Sequence, residues 1–453
     1  MQQTHPIQKV KNIIHLGQSF YSNIKFGFPS RKLKILGVTG SDGKTTSTMM
    51  LYHILTQANL KVGYISTIGA KIGEKNLDTG LHVTTPDPWM VPRYLNQMVR
   101  EGVEYVILES TSSGFQQMRL WGIKFEGGII TNIKSDHLDY HGTWENYAKA
   151  KFQLVKQIKS GGTIVLNKDD EESFEWIKKQ IDLNKTEVEV KEISLAGTKN
   201  MNYSIKGLSF EWKGQSFELK LIGRYNLENA LGVIELASEM LPLDVISKHL
   251  KTFKSPKGRM QVVKTDPISI IIDFAHTPNS LESALKSIKE IKRKNQRIIT
   301  LFGCAGMRDK ERRRMGEVAA RLSDIVILTA EDPRNEKLSE INNEILENAK
   351  KSKGKIVKRF KNSNEYRDQE LDEIKSAVTK AIGNSETPFF AFDADDVTSR
   401  KDAISFALRI ADKGDIVYLT GKAHEESLAF GADQREYPWN EEDVTKGTFD
   451  RLY

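Results

Sequence analysis

The segment GVTGSDGKTT at residues 37–46 combines glycines, a lysine and hydroxyl side chains in the order of a phosphate-binding loop. Its glycines let backbone N–H groups turn inward onto phosphate oxygens, and a helix predicted to start near Thr45 adds a positive N-terminus. Lys44 would neutralise the β- and γ-phosphates, and the Thr45 hydroxyl is placed to ligate Mg²⁺. Because Val38 replaces the first glycine of the strict pattern, a chance glycine turn is the alternative. The predicted phosphate loop consists of Gly40, Ser41, Asp42, Gly43, Lys44, Thr45 and Thr46.

Short runs rich in β-branched residues alternate with helical patterns from Lys34 onward, which predicts an α/β fold with a parallel sheet. The runs are KILGV, KVGYIST, EYVILE, GGIITN, GTIVLN, SIIIDF, RIITLF, DIVILT and DIVYLT. Residues 196–222 alternate differently and predict an antiparallel patch that turns at Lys213 and Gly214. A helix is predicted at 226–241, and the segment SPKGR at 255–259 is typical of a linker.

Seven of these runs lead into polar segments whose side chains could do chemistry. The segments are GSDGKTT, ESTSS, TNIKSDH, AHTPN, GCAGMRDK, EDPRNE and GKAHEE. In open α/β sheets, ligands bind beyond the carboxyl ends of the strands, so we expect the seven segments to converge on one cleft. Ordinary polar loops are the alternative interpretation.

The composition excludes several classes of protein. The 453 residues predict two or three domains, and 67 Lys+Arg against 60 Asp+Glu give a net charge of +7. The basic residues are spread along the chain without interleaved aromatics, so we expect no nucleic-acid binding. A single cysteine, Cys304, excludes an internal disulfide framework and a four-cysteine zinc site. Without a long apolar run or a signal peptide, we expect a cytoplasmic protein with no stable membrane insertion. We also expect a monomer.

The chain resembles the Mur ligases, most closely those of the MurE type, through many motifs in a fixed order. The motifs are GVTGSDGKTT, HVTTPDP, ESTSSGFQQMR, TNIKSDHLDYHGTWENYAKAK, GRYNLENAL, GRM, IIDFAHTPN, FGCAGMRDKERR, EDPRNE and GKAHE. The resemblance implies a P-loop central ATPase domain with a parallel sheet and a C-terminal Rossmann-like α/β domain. We therefore expect an N-terminal arm at 1–32, the central ATP-binding domain at 33–256, and a C-terminal domain at 257–453 that binds the incoming amino acid.

The activity implied by the resemblance is ATP-dependent amide-bond synthesis for peptidoglycan precursors. ATP would convert a carboxylate of UDP-MurNAc-L-Ala-D-Glu to an acyl phosphate, an amino acid would attack, and phosphate would leave. Transfer of a phosphoryl group between anions depends on metal ions and cations more than on a covalent nucleophile. The expected partners are thus a nucleotide-linked muropeptide and an amino acid, and the expected cofactors are ATP and two Mg²⁺ ions.

The same resemblance assigns catalytic and metal-binding roles. Glu109, with Thr45, would bind the Mg²⁺ that bridges the ATP phosphates, and His137 would bind a second Mg²⁺. Lys151 matches a lysine that the family carries as a carbamate, an anion able to help bind and position the second metal. Lys44, Glu109, His137 and Lys151 form the expected catalytic set. A helix cap for Glu109 and a helix-surface position for Lys151 are the alternatives, and His141 is interpreted as structural.

Residues near the middle of the chain resemble the remaining ATP contacts of the family. Asn226 and Asn229 in GRYNLENAL would contact the adenine. Arg259, Asp273 and His276 would close over phosphate and ribose, so that domain closure completes the ATP site and excludes water. Helix caps or surface ion pairs are the alternative roles for these side chains.

Two segments resemble those that line the sugar-peptide acceptor. Thr84, Thr85 and Pro86 match the TTP segment of the family, and Ser112 and Arg119 belong to the segment ESTSSGFQQMR. At position 113 the family usually has histidine, whereas this chain has serine, so we expect different acceptor contacts there.

The amino-acid site is implied by EDPRNE and GKAHE. Arginine at 334 goes with meso-diaminopimelate in the family, because a guanidinium can clamp the distal carboxylate with two hydrogen bonds. The full set expected to bind the amino acid is Arg308, Asp332, Arg334, Gly421 and Glu425. Asp332 replaces the usual asparagine and Ala423 replaces a usual glycine. Lysine therefore stays open as an alternative substrate.

The first 32 residues, with a helix predicted around Val10 to Ile24, are too few for the UDP-binding domain with which MurE enzymes begin. We expect this arm to pack on its own domain. The chain is then a compact ligase for the nucleotide-linked acceptor, or a ligase for another, perhaps lipid-linked, acceptor whose arm touches a membrane or partner. A non-catalytic ATP-binding scaffold is a third hypothesis. The partner of a glutamine amidotransferase is disfavoured by the single cysteine, and EDPRNE and GKAHE disfavour folate polyglutamylation.

Overall fold

The computed structural model describes residues 6–77, 84–134, 138–361 and 368–453. The chain forms two compact units. Unit 1 runs to Asn202 and also includes Leu208–Lys220 and Arg224–Lys254. Unit 2 contains Ser255–Tyr453 and two short earlier segments. The predicted boundaries at 32/33 and 256/257 stay a prediction.

Unit 1 is built on an eight-stranded sheet in the order β4-β3-β2-β5-β1-β6-β7-β8. Its strands are β1 (Lys34–Thr39), β2 (Val62–Ser66), β3 (Gly69–Ile72), β4 (Lys75–Leu77), β5 (Tyr105–Glu109), β6 (Phe125–Ile130), β7 (Ile158–Asn167) and β8 (Val188–Ile193). The predicted runs KVGYIST, EYVILE, KILGV and GGIITN form four adjacent parallel strands. They are buried on both faces, which explains why their sequences are almost continuously apolar. Their carboxyl ends therefore lie along one edge of the sheet.

Helices cover this sheet, and a small antiparallel sheet follows it. The helices are α1 (Pro6–Lys25), α2 (Lys44–Gln57), α3 (Met90–Arg100), α4 (Ser112–Gln116), α5 (Leu138–His141), α6 (Trp144–Gln157), α7 (Glu171–Asn184), α8 (Arg224–Ala237) and α9 (Leu243–Leu250). The small sheet contains β9 (Lys199–Ser204), β10 (Gly207–Trp212) and β11 (Gln215–Leu219). The predicted turn at Lys213 and Gly214 joins β10 to β11. The core of unit 1 includes Ile35, Val106 and Phe125.

Unit 2 has its own seven-stranded sheet, in the order β12-β13-β18-β14-β15-β17-β16. The strands of unit 2 are β12 (Gln261–Lys264), β13 (Ser269–Asp273), β14 (Ile298–Phe302), β15 (Ile325–Leu328), β16 (Gly354–Phe360), β17 (Thr387–Phe392), β18 (Ile416–Thr420), β19 (Ser427–Phe430) and β20 (Arg435–Pro438). Its helices are α10 (Pro278–Ile291), α11 (Met315–Leu322), α12 (Leu338–Ala349), α13 (Asp368–Gly383), α14 (Thr398–Ile410) and α15 (Glu441–Leu452). Short 3-10 helices lie at Pro29–Lys32, Leu195–Gly197 and Lys310–Arg314.

The predicted α/β class and parallel sheets are confirmed, and all nine predicted runs are strands. Strands missed by the sequence have weaker signals: β17 is TPFFAF, with phenylalanines in place of a β-branched run, and β16 is half charged. The helix predicted at 226–241 ends earlier, at Ala237, and a short turn leads to Pro242, the N-cap residue of α9. Among the described helices, none has the length and hydrophobicity needed to cross a bilayer.

Candidate active site

The phosphate loop, residues 40–46, joins β1 to α2 at the carboxyl edge of the unit 1 sheet. Val38 lies inside β1, paired with Glu109 and Ile129, so the turn starts at Gly40 and a glycine at 38 is not needed. Gly43 has φ 81°, and a Cβ there would lie 2.1 Å from Asn229 Oδ1. Glycine is therefore required at this position by both backbone conformation and space.

Two lysines face the carbonyl groups of this loop. Lys44 Nζ donates to Gly40 O at 2.9 Å and to Ser41 O at 2.7 Å. Lys151, on α6, is buried, donates from Nζ to Gly40 O at 2.5 Å and lies 4.3 Å from the centre of the Tyr147 ring. Lys151 is thus not the helix-surface lysine of the alternative interpretation. The two ammonium groups concentrate positive charge where phosphate oxygens are expected.

Glu109 ends β5 beside the loop and is buried. Thr45 Oγ1 donates to Glu109 Oε1 at 2.9 Å, and Thr67 donates to the same carboxylate from its hydroxyl and its backbone N–H at 3.0 and 3.1 Å. A carboxylate and a hydroxyl oxygen in contact are hard oxygen ligands of the kind Mg²⁺ prefers. The pair therefore fits the predicted Mg²⁺ site. Among the described residues, no group of three His, Cys, Asp or Glu side chains forms a metal site, and the predicted ligand His137 lies outside them.

The rest of the loop is held by the segment that follows β6. Asp42 N donates to Asn132 Oδ1 at 3.0 Å, and Thr131 Oγ1 donates to Asp42 O at 2.6 Å. Ser41 Oγ lies 3.1 Å from the Tyr147 hydroxyl. Thr46 is buried at the start of α2. These contacts fix the curvature of the loop, which a phosphate site of backbone N–H groups requires.

The predicted adenine contacts lie on α8, next to the loop. Asn229 approaches Gly43, and its Nδ2 donates to Asn226 Oδ1 at 3.3 Å. Both asparagines are buried, and α8 packs against α2. The sequence motif GRYNLENAL and the phosphate loop are therefore neighbours within unit 1.

The two acceptor segments, residues 84–86 and 112–119, contact each other. Arg119 Nη1 donates to Thr85 O at 2.8 Å, and Thr111 N donates to Thr85 Oγ1 at 3.0 Å. The hydroxyl oxygens of Thr84 and Thr67 lie 2.9 Å apart, and Thr67 donates to Glu109, so these segments border the Glu109 site. Pro86 is buried beside them.

Ser112 begins α4, and its hydroxyl lies 3.0 Å from Nε2 of His141. His141 is buried between the rings of Tyr140 and Tyr147, 4.9 and 5.0 Å away between centroids. The residue interpreted as structural thus packs between the predicted acceptor segment and α6. Ser113, which replaces the usual histidine, lies 3.2 Å from Thr111 Oγ1.

In unit 2, the three predicted ATP contacts surround Phe274. The Arg259 guanidinium lies 4.8 Å from its ring centre, and the His276 ring lies 4.6 Å away. Asp273 ends β13 and accepts from Met260 N and the Tyr418 hydroxyl at 3.0 and 2.9 Å. Both carboxylate oxygens of Asp273 are therefore already bonded within unit 2, and this residue also holds the turn that carries Arg259.

The predicted amino-acid residues gather beyond β14, β15 and β18, which are neighbours in the unit 2 sheet. Lys422 Nζ is buried and donates to Asp332 Oδ1 at 2.9 Å and to Glu425 Oε2 at 2.6 Å. Arg334 Nη2 lies 3.7 Å from Asp332 Oδ2, and Nη1 donates to Gly306 O at 2.9 Å. Burial and the charge of Arg334 lower the pKa of the Arg308 guanidinium. We call Arg308, Asp332, Arg334, Lys422 and Glu425 the charged cluster.

Several backbone positions in this region are left-handed without glycine. Asp332, Arg334 and Ala423 have φ values of 45°, 55° and 44°. The usual residues at 332 and 423 are asparagine and glycine, which tolerate this conformation better than aspartate and alanine. Asp332 and Ala423 therefore keep the left-handed conformation of the loop, and they do so with some backbone strain.

Two buried groups beside the charged cluster have altered acidities. Gly421 brings the chain so close to Glu331 that a Cβ would lie 2.6 Å from Oε2, and burial raises the pKa of Glu331 to about 8. Burial also raises the pKa of the Cys304 thiol to about 12, so this cysteine is an inert core residue.

Sequence reasoning missed Thr67, Tyr147, Lys422 and Glu331. Lys422 and Glu331 lie inside the quoted motifs GKAHE and EDPRNE, so the motif itself was the available signal. Thr67 and Tyr147 can be recognised as part of the candidate site only from the fold, which places β2 and α6 beside the phosphate loop.

Comparison with known proteins identifies two family domains. The Mur ligase middle domain matches residues 38–237, and the Mur ligase glutamate ligase domain matches residues 258–423. The chain is 34% identical to the UDP-N-acetylmuramoyl-L-alanyl-D-glutamate–2,6-diaminopimelate ligase of Clostridium perfringens, covering 88% of this chain and 75% of that protein. It is 32% identical to ligase 1 of the same name from Clostridium acetobutylicum, covering 92% and 77%. A solved structure of a ligase of this name aligns with a TM-score of 0.61 at 25% identity, over 93% of this chain and 79% of that one.

Proposed function

Since the chain belongs to the Mur ligase family and is an ATP-dependent ligase, we propose that it adds meso-diaminopimelate to the D-glutamate of UDP-N-acetylmuramoyl-L-alanyl-D-glutamate. The names of the relatives support the substrates. The observation that carries the proposal is the contact of Thr45 with the buried Glu109 directly beneath a glycine loop lined by Lys44 and Lys151.

In the first step, a carboxylate oxygen of the acceptor attacks the γ-phosphorus of ATP, and the bond to ADP breaks. Lys44 exchanges its carbonyl partners for phosphate oxygens, which places a positive charge beside the group in transfer. The loop N–H groups and the N-terminus of α2 hold the nucleotide in line. Thr45 and Glu109 would hold one Mg²⁺, which supplies charge neutralisation of the phosphates.

The second Mg²⁺ would be held by His137 together with a carbamylated Lys151. Lys151 fits this role because it is buried directly against the loop, at the carbonyl of Gly40. Carbamylation requires the ammonium group to lose one proton; the resulting amine forms an N–C bond with CO₂ and releases a second proton, so that the buried cation becomes an anion. The carbamate would thereby provide the second Mg²⁺ with a carboxylate-like oxygen ligand, which an unmodified lysine cannot provide.

In the second step, the amine of the amino acid attacks the acyl carbon, and the C–O bond to phosphate breaks. The charged cluster would bind the amino acid, with Arg334 and Arg308 as donors to carboxylates and Glu425 as an acceptor for an ammonium group. A substrate with two amino-acid ends, such as diaminopimelate, complements a cluster that carries both signs of charge. Lysine lacks the distal carboxylate that Arg334 would clamp.

The test is an ADP-release assay with diaminopimelate, lysine, ornithine and glutamate, each with nucleotide-linked and lipid-linked acceptors. We expect turnover with diaminopimelate and the nucleotide-linked acceptor, and product mass confirms the new amide. Turnover confined to the lipid-linked acceptor would replace the proposed acceptor. Binding of ATP without turnover on any pair would support a scaffold. Cytoplasmic location and a monomeric state stay predictions from the sequence.

A further inference from the structure

Helix α1 docks on unit 1 through polar side chains. Ser19 Oγ donates to Met118 O at 2.7 Å, Ser22 Oγ to Pro88 O at 3.1 Å and Asn23 Nδ2 to Trp121 O at 3.1 Å. Ser19, Ser22 and Asn23 are fully buried. These bonds to backbone carbonyls fix which side of the helix faces the protein.

The opposite side of α1 is apolar and exposed. Surface helices of globular proteins normally bury the apolar face and expose the polar one, so α1 has inverted amphipathicity. Residues 13, 16, 20 and 24 follow helical spacing on one face, flanked by 14 and 21. Ile13 is 70% exposed and Tyr21 60% exposed. The exposed apolar residues of this face are Ile13, Ile14, Leu16, Phe20, Tyr21 and Ile24.

Aromatic rings extend this face onto unit 1. Phe20 lies 5.5 Å from Trp121, and Tyr21 stacks on Trp89 at 5.8 Å between ring centroids. Lys25 Nζ lies 4.6 Å from the centre of the Trp89 ring, which is a cation–π contact between α1 and unit 1. Tryptophan, tyrosine and lysine together are typical of groups at a membrane–water interface.

The N-terminal segment itself carries only basic charges, and the exposed Asp87 of unit 1 lies close enough to His15 of α1 to interact with it electrostatically. The first 34 residues contain six lysines and arginines, and the first acidic residue of the chain is Asp42. Lys11, Lys25, Arg31 and Lys32 are exposed. We propose that α1 is an interfacial helix that binds the surface of a bilayer with anionic headgroups, with its apolar face in the headgroup boundary.

A bilayer fits this face better than a second copy of the chain. Two copies meeting through α1 would bring together two sets of four exposed basic residues, for which the nearby Asp87 offers only one carboxylate per copy, whereas anionic lipids attract each basic residue. A 20-residue helix is about 30 Å long and can lie in the interface plane. Its lysines and polar docking face exclude a spanning orientation, in agreement with the described helices.

If the proposed ligase function holds, the position of α1 also determines which side of unit 1 faces the membrane. The carbonyls that hold the helix belong to Pro88, Met118 and Trp121, which adjoin the two acceptor segments. A bilayer-bound α1 would hold the acceptor side of unit 1 at the membrane surface. Vesicle binding itself requires no ligase activity, so its failure and that of the proposed function are separate results.

The experiment is co-sedimentation of the full chain with vesicles of phosphatidylcholine, with and without phosphatidylglycerol. We expect binding to the anionic vesicles that falls with rising salt. Ile13→Gln with Ile24→Gln should weaken this binding about tenfold, because two apolar side chains leave the interface. Lys11→Gln with Lys32→Gln should also weaken it about tenfold.

Matched controls are Leu183→Gln with Met201→Gln, which remove exposed apolar side chains elsewhere, and Lys179→Gln with Lys248→Gln, which remove exposed charges elsewhere. Both control pairs should bind vesicles as the parent does. Circular dichroism and thermal unfolding check that every variant folds. Three results would overturn the proposal. The first is equal binding to neutral and anionic vesicles, and the second is unchanged binding of the α1 variants. The third is a dimer, detected by light scattering, that Ile13→Gln with Ile24→Gln dissociates, together with no binding of the parent protein to vesicles.

Discussion

The phosphate loop and the charged cluster use cations in opposite ways. At the phosphate loop, Lys44 donates to two backbone carbonyls. In the charged cluster, Lys422 lies between the carboxylates of Asp332 and Glu425. In the phosphate loop the lysine charge is thus stabilised by carbonyl dipoles, whereas in the charged cluster the lysine charge is stabilised by negatively charged carboxylates.

This difference indicates what each region can bind. Cations held by carbonyl dipoles retain most of their attraction for a polyanion, which suits nucleotide phosphates. The charged cluster, with three cations and two carboxylates, has only a small net charge and instead discriminates by the positions of its donors and acceptors. Substitutions should therefore reduce rate at the loop and change specificity at the cluster.

The largest effect is expected for Lys44→Ala. Removal of the ammonium group should lower kcat/KM at least about 1000-fold, because charge on the transferred phosphoryl group loses its compensation. Steady-state ADP release measures the loss, and Lys185→Ala is an exposed-lysine control. Near-normal turnover of Lys44→Ala would show that a lysine bound only to carbonyls does not stabilise the transferred phosphoryl group, which contradicts the comparison of the two regions.

Lys151→Ala should lower turnover by about 100-fold, as expected for the loss of a group that positions a metal ion. A short-chain carboxylate added to the assay should restore part of the activity by taking the place of the carbamate. Lys156→Ala, on the same helix, controls for nonspecific activation by the added acid. Full activity of Lys151→Ala without any added carboxylate would exclude the carbamate role.

Arg334→Ala tests specificity at the charged cluster. The KM for diaminopimelate should rise about 100-fold, the equivalent of a charge-assisted bidentate contact, while that for lysine changes less than about threefold. Arg314→Ala, an exposed arginine outside the cluster, should leave both values unchanged. Equal effects on the two amino acids would show that Arg334 acts on the loop shape and not on the distal carboxylate.

The smallest effect, one on stability alone, is expected for Glu331→Gln. The folded-state pKa of Glu331 lies near 8, above the ordinary value of 4.5, so the folded protein retains a proton that the unfolded chain releases. Its contribution to stability therefore falls as the pH rises from about 4.5 to about 8. Gln removes this penalty and should raise the free energy of unfolding by on the order of 2 kcal/mol at pH 8, with little gain at pH 4.5.

Thermal unfolding of Glu331→Gln at pH 4.5, 6 and 8 checks this trend. Glu347→Gln, which replaces an exposed carboxylate paired with Lys350, should show no such dependence on pH. A gain that is the same at every pH would point to packing instead of ionisation.

The sequence predicted most of the parallel strands because runs such as SIIIDF and DIVYLT are buried on both faces and therefore contain few polar residues. It predicted the glycine turn between β1 and α2 because glycines adopt the positive φ values of such a turn, and the binding of phosphate by this turn stays a prediction. The strands β16 and β17 escaped detection since charged or phenylalanine-rich segments carry no β-branched run. The seven polar segments are divided between two sheets, three in unit 1 and four in unit 2, so their convergence on one cleft stays a prediction.

The sequence by itself determined the fold class of this protein and the glycine turn between β1 and α2, because these depend on local residue types and spacing. The tertiary structure decided which side chains meet across long separations: Thr67 with Glu109, Lys151 with Gly40, and Lys422 with Asp332. It also decided that α1 faces outward with its apolar side, since Ser19 and Asn23 bind carbonyls nearly 100 residues away. Local patterns cannot encode such pairings, because hydrogen-bond partners are selected when separate elements pack together.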